Sequence, residues 1–257
     1  MTSALPPNAL ALLKQALAEG TLSLAYQPQV ELATGRIVGW EALSRWHHAQ
    51  YGTIPPDAFI PLAEQHGLIV PLGQWLWRQA IHDFPVLLQA YPDTRLSINV
   101  SMVELSHDGF FNHLDALLRQ LSPQSIGQLE IEVTESSYLA CTQGLIEPLQ
   151  ALQKLGMTLA IDDFGTGHSN LDRLYALPFN KIKLDKSYIA NLNSPEGTLF
   201  AQETVELAHR LHKTLVCEGI ENSQQAQTLQ DIGVQYGQGY LFGKPMPLNH
   251  WVPKKHS

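Results

Sequence analysis

The sequence predicts an α/β fold of parallel βα units, with an alternation close to the eight repeats of a β/α barrel. Three observations carry this. From about residue 56 onward, apolar runs of strand length alternate with amphipathic runs of helix length. The chain has 257 residues, against the ~250 typical of one β/α barrel. Hydrophobic residues make up 44%, enough for one sizeable core, and no composition break marks a second domain.

The elements follow in order. Asn8 is placed to cap a helix that ends at Gly20, with Leu10, Leu13 and Leu17 as its apolar stripe. Thr21–Val30 has strand character, Thr34-Gly35 makes a turn, and Arg36–Arg45 returns as a second strand, so the chain opens on an antiparallel hairpin. Pro56–His66 and Pro71–Gln89 are helices, the second interrupted at Pro85. The strand Arg95–Ser101, the helix Phe110–Leu121, the strand Gln128–Thr134 and the helix Gln143–Leu155, stopped by Gly156, come next. Met157–Phe164 is a strand, and a glycine-containing loop leads to a short helix, Asn170–Leu177. The strand Lys181–Asp185, the helix Leu199–His212, the strand Thr214–Glu218, the helix Gln224–Ile232 and a weak strand near Val234–Tyr240 complete the series.

Composition narrows the function. The net charge of −8 makes a poor general nucleic-acid binder, because phosphate contacts need a Lys/Arg surface. A phosphate substrate has to be held locally or through bound cations. Cys141 and Cys217 lack metal-site spacing, which fits a reduced, cytoplasmic protein, and Cys217 reads as a core residue. The stretch Ala9–Ala18 is broken by Lys14 and Gln15 and is far shorter than a ~20-residue membrane span, so a soluble chain with no membrane segment is expected.

Polar residues gather at the C-terminal ends of the strands. Glu41 closes the second strand and Asn99 the next; Glu132, Asp162-Asp163, Lys183 with Asp185, Glu218 and Gln238 follow. In a β/α barrel these ends converge on one face, where active sites are built. So many carboxylates raise one another's pKa unless cations intervene. Oxygen donors without His or Cys suit Mg²⁺ or Mn²⁺ rather than Zn²⁺. Two such ions, ~3.5–4 Å apart, serve in-line displacement at phosphorus. Any one acid of the set reads more readily as a helix cap or a solvated turn; the convergence is what argues for chemistry.

The same residues resemble the EAL-domain phosphodiesterases. Glu41-Ala42-Leu43 with Arg45-Trp46 matches the family signature, and the remaining motifs follow in order. They are Tyr26-Gln27-Pro28, Ile98-Asn99-Val100-Ser101, Glu132-Val133-Thr134-Glu135, Asp162-Asp163-Phe164-Gly165-Thr166-Gly167, Lys183-Leu184-Asp185, Glu218-Gly219-Ile220-Glu221 and Gln238-Gly239-Tyr240-Leu241-Phe242-Gly243. The match runs from about Leu22 to about Pro247, within one domain spanning 1–257 with its core at about 20–248.

The resemblance implies a modified TIM (β/α)8 barrel whose first strand is antiparallel. It implies a phosphodiesterase that opens cyclic di-GMP to linear pGpG with two divalent cations, Mg²⁺ or Mn²⁺. Glu41, Asn99, Glu132 and Asp162 match ligands of one metal; Asp162, Asp163 and Asp185 match those of the second. Lys183 and Gln238 match the holders of the attacking water, and Glu218 a general base or metal organiser. Gln27, Leu43, Arg45 and Glu221 match nucleotide contacts; Leu43 and Phe242 are candidate guanine walls, with Phe242 reading equally as core packing. Glu135 matches an anchor of the loop after Asp163, a loop tied to homodimer formation. Regulatory domains outside the chain are implied partners.

The sequence departs from the family at Gly167-His168-Ser169-Asn170, where Tyr and two Ser are usual. His168 is either a neutral replacement or a pH-sensitive contact. His47 and His48 are adjacent on a strand, point to opposite faces and read as structural. Two other functions stand beside the phosphodiesterase. One is a silent cyclic di-GMP receptor, although no ligand is missing here. The other is a Schiff-base aldolase using Lys183, disfavoured because a Lys ringed by carboxylates stays protonated.

Overall fold

The computed structural model describes residues 5–135, 143–166, 178–192 and 194–252. Nine strands form one sheet: β1 (Ser23–Glu31), β2 (Ile37–His48), β3 (Gly52–Ile54), β4 (Arg95–Asn99), β5 (Leu129–Thr134), β6 (Thr158–Phe164), β7 (Lys181–Leu184), β8 (Thr214–Cys217) and β9 (Tyr236–Gln238). Their order is β1-β9-β8-β7-β6-β5-β4-β2-β3, and a further β1–β2 pairing closes a barrel of eight strands with β3 outside it. β1 is antiparallel to both neighbours, with Gln27 opposite Glu41 and Gln29 opposite Gln238. The other barrel strands run parallel. The expected modified barrel is therefore present.

Both faces of most strands are buried, as in parallel sheets covered by helices. Leu96, Ile98, Leu129, Ile131, Ile161 and Ile182 turn outward into the layer beneath the helices and are fully buried there. A Leu→Ala change at such a position costs ~2–5 kcal/mol. A second apolar cluster joins Leu13 and Ala16 of the N-terminal helix to Trp46, Phe59 and Leu72. Cys217 is buried in the main core, where burial pushes its thiol pKa up. Among the described residues no helix is long and apolar enough to cross a membrane.

Several expectations need correcting. Asn8 caps nothing with its side chain; it sits in the left-handed region at φ 61°, and the helix Ala9–Glu19 ends on Gly20. The helix Ile69–Ala90 runs through Pro85 without a break. Pro85 lies on the exposed face, while Ile81, Phe84 and Leu87 hold both halves to the core. Glu41 does not close its strand. β2 overruns the barrel rim to His48 and pairs there with β3, so Glu41 is a mid-strand residue at rim level. Asp185 and Glu218 lie one residue beyond β7 and β8. The helix expected at Asn170–Leu177, together with Cys141 and His168, falls outside the described residues.

Candidate active site

The strand ends deliver Lys183 into the middle of a carboxylate ring. Its Nζ lies 2.7 Å from Glu132 Oε2, 2.7 Å from Glu218 Oε1, 3.2 Å from Asp162 Oδ1 and 3.8 Å from Glu41 Oε2. Lys183 and Glu132 are fully buried. Alternation along the strands places these groups: Glu132 and Lys183 point inward while Ile131, Val133, Ile182 and Leu184 point out to the core. Glu41 is further held by Asn99 Nδ2 at 2.7 Å and by Gln238 Nε2 at 2.5 Å, and Gln238 also donates to Gln27 Oε1 at 3.1 Å.

One ammonium cannot satisfy this many acids. Burial, with Glu41 and Asp162 nearby, holds Glu132 well above the usual carboxylate range despite Lys183. Asp162 is raised for the same reasons, burial first. Burial and the neighbouring Asp162 push Asp163 up to about 6. Burial, opposed by Lys183 but aided by Asp162 and Glu41, pushes Glu218 up to about 8. Glu41 goes the other way: burial would raise it, but Lys183, Gln238 and Asn99 outweigh that and lower it. For Lys183, burial is outweighed by Asp162, Glu132, Glu218 and Glu41, which keep it charged far above its ordinary range. A permanently protonated amine is no Schiff-base nucleophile, which removes the aldolase reading.

The donors fit hard divalent cations. Oxygens of Glu41, Glu132 and Asp162 lie within 4.8 Å of one another, as do those of Asp162, Asp163 and Glu218. Glu132 Oε1 is buried without a hydrogen-bond partner, an orphaned carboxylate oxygen inside the ring. Asn99 spends its amide nitrogen on Glu41. Asp185 falls outside both groups and caps the helix Lys186–Ala190, accepting from Ser187 N at 2.9 Å.

The remaining sequence candidates surround this ring less tightly. Gln27 is buried and donates to Gly243 O at 3.2 Å. Leu43 lines a cleft of about 530 Å³ together with Ser44, Asn99, Glu132, Asp162 and Asp163. Arg45 donates to Ser44 O at 2.9 Å. Glu221 is exposed, and Phe242 is partly buried against the core. Glu135 is buried and accepts from Gly165 N at 2.9 Å. His47 is spent on Thr53, and His48 accepts from the Gln50 amide.

Sequence reasoning missed two groups here. Tyr188 donates its hydroxyl to Gly165 O, opposite the Glu135 contact, and stacks on Phe200 at 3.9 Å. Its place on the first turn after Asp185 was the available signal. Glu104 also lines the cleft; its carboxylate fills the space beside Gly73, where an added Cβ would come within 1.5 Å of Oε1.

Known proteins share this architecture. The sequence profile of the EAL domain matches residues 11–245. The bifunctional diguanylate cyclase/cyclic di-GMP phosphodiesterase MucR of Pseudomonas aeruginosa is 37% identical over 238 residues, 91% of this chain and 34% of its own length. The cyclic di-GMP phosphodiesterase RocR of the same organism is 34% identical over 239 residues, 92% of this chain and 60% of RocR. Both relatives therefore extend well beyond the matched region. Among solved structures, the PaMucR phosphodiesterase in complex with c-di-GMP superposes with a TM-score of 0.89 at 35% identity, covering 95% of this chain and 99% of that one.

Proposed function

The chain belongs to the EAL-domain family, and from that premise we propose that it is a phosphodiesterase that hydrolyses cyclic di-GMP to linear pGpG. The single observation that carries this reading is the surplus of buried carboxylates around Lys183 at the C-terminal face of the barrel. The substrate assignment is supported by MucR, RocR and the PaMucR complex.

In this reading Glu41, Asn99, Glu132 and Asp162 hold one divalent cation, and Asp162, Asp163 and Asp185 the other, Mg²⁺ or Mn²⁺ in each case. Such a pair supplies Lewis-acid activation and neutralises the diester's charge. The chain's own groups do the rest. Lys183 Nζ and Gln238 Nε2 both converge on Glu41 Oε2, so two fixed donors meet where the attacking water is held. Glu218, 2.7 Å from Lys183 Nζ, serves as general base or as organiser of the metal site. Arg45 adds a charge-assisted contact to a substrate phosphate. Gln27, Leu43, Glu221 and Phe242 form the nucleotide walls, apolar surface with a few polar contacts. Glu135 fixes the first turn of the loop after Asp163 by holding the Gly165 amide.

A homodimer joined through that loop, regulatory segments outside this chain and a cytoplasmic setting belong to the same reading, as does one domain across 1–257. The test is product analysis after incubation with cyclic di-GMP and Mg²⁺ or Mn²⁺. Linear pGpG is expected. Binding without product makes the chain a receptor instead.

A further inference from the structure

The opposite end of the barrel holds a second cavity of about 530 Å³, lined by Gln29, Arg36, Asp93, Arg95, Lys181 and Tyr236 among others. It is separate from the carboxylate ring but lies directly beneath it. Gln29 follows Gln27 by two residues on β1, and Lys181 precedes Lys183 by two on β7, so each pair lines the same interior face.

Gln29 is only 2% exposed, yet its Nε2 has no hydrogen-bond partner. An unpaired buried amide costs about 1–3 kcal/mol, and Gln29 is among the residues that line this cavity. The lining carries three cations, Arg36, Arg95 and Lys181, against one acid, Asp93. Glu130 stands 2.6 Å behind Lys181 and Glu31 stands 3.6 Å from Arg36, taking part of that charge. Arg95 has no acidic partner among the described residues: its Nη1 donates to Gly127 O and Thr158 Oγ1.

We propose that the base of the barrel is a second ligand site, taking a small organic anion whose phosphate or carboxylate oxygen accepts from Gln29 Nε2 and pairs with Arg95 and Arg36. The volume exceeds that of a bare oxyanion, so the anion is carried on a larger polar body. The site makes no use of the mouth, and it stands whether or not the chain turns over cyclic di-GMP.

The test is titration calorimetry of the full chain, stripped of metal on a chelating resin, with inorganic phosphate and with citrate as probes. With metal removed the mouth offers no bound cation to bridge a phosphate or citrate, and Arg36 lies at the other end of the barrel, so saturable binding that weakens in Arg36→Gln reports the base. The better probe tells phosphate from carboxylate recognition. Arg36→Gln, a change at a side chain that is 58% exposed, is expected to weaken binding several-fold without harming the fold. Gln29→Leu is expected to weaken it about tenfold. Arg119→Gln, at an exposed arginine whose acidic partner among the described residues is Asp115, is expected to change nothing. No saturable binding of either probe, binding only after metal is restored, or equal affinity in Arg36→Gln and wild type overturns the proposal.

Discussion

Lys183 Nζ stands 2.7 Å from Glu132 Oε2, both side chains are wholly buried, and the second oxygen of that carboxylate has no partner. The pair sets the electrostatics of the mouth: one cation shared among more acids than it can neutralise.

Removing the cation exposes that imbalance. Lys183→Met leaves several buried carboxylates uncompensated, and breaking a buried pair in this way costs about 3–5 kcal/mol. In metal-free protein the variant is expected to melt well below wild type, and Mn²⁺ is expected to recover part of the loss. Equal melting temperatures without metal would show that the ring is already relieved by some other means.

The ligand ring itself is tested by Glu41→Ala and Asp162→Ala. Each is expected to abolish turnover of cyclic di-GMP while the circular dichroism spectrum stays native. Ca²⁺, with its looser coordination, is expected to support substrate binding but not hydrolysis. Retained rates in either variant, or brisk hydrolysis with Ca²⁺ alone, contradict the assigned roles.

The loop anchor separates two substitutions. Glu135→Gln keeps an oxygen for the Gly165 amide, whereas Glu135→Ala leaves that amide unpaired. Steady-state kinetics are expected to show kcat reduced about tenfold or more in the Ala variant and largely retained in the Gln variant. Identical kcat in wild type and Glu135→Ala would mean that the anchor does not act on the site.

Glu104 gives a pH signature away from the ring. Burial, with a smaller push from Glu64, raises its carboxyl from 4.5 to about 7 despite the capping bonds at Ser101. The folded state therefore keeps a proton that the unfolded chain releases between about 4.5 and 7. Stability falls as pH rises through that window, by up to about 3 kcal/mol at 1.36 kcal/mol per unit. Glu104→Gln retains an acceptor for Ser101 N and removes the titration. Urea unfolding is expected to find the variant more stable than wild type at pH 8 and equal at pH 4; the opposite order would place the carboxyl in water.

The alternation of elements was legible because period-2 apolar strands and capped helices are local patterns. The first hairpin and the positions of Glu132, Asp162 and Lys183 could be read for that reason. The depth of Glu41 could not, since it depends on β3 pairing with the overhang of β2, and a three-residue strand leaves almost no trace in sequence. Pro85 misled because its cost depends on which helix face it occupies. Asp185 was visible as an acid at a strand end, but its work as a helix cap appears only with the backbone. The residues of the barrel base were invisible for a different reason. Gln29, Arg95 and Lys181 are unremarkable singly and meet only when the barrel closes.

The central claim is that this carboxylate ring holds two hard cations around Lys183. An anomalous difference map from a crystal grown with Mn²⁺ tests it most directly. The account predicts two peaks, one among Glu41, Asn99, Glu132 and Asp162 and one beside Asp162, Asp163 and Asp185. A map with no peak at the mouth, and Lys183 still pairing all four acids in saturating Mn²⁺, would contradict it.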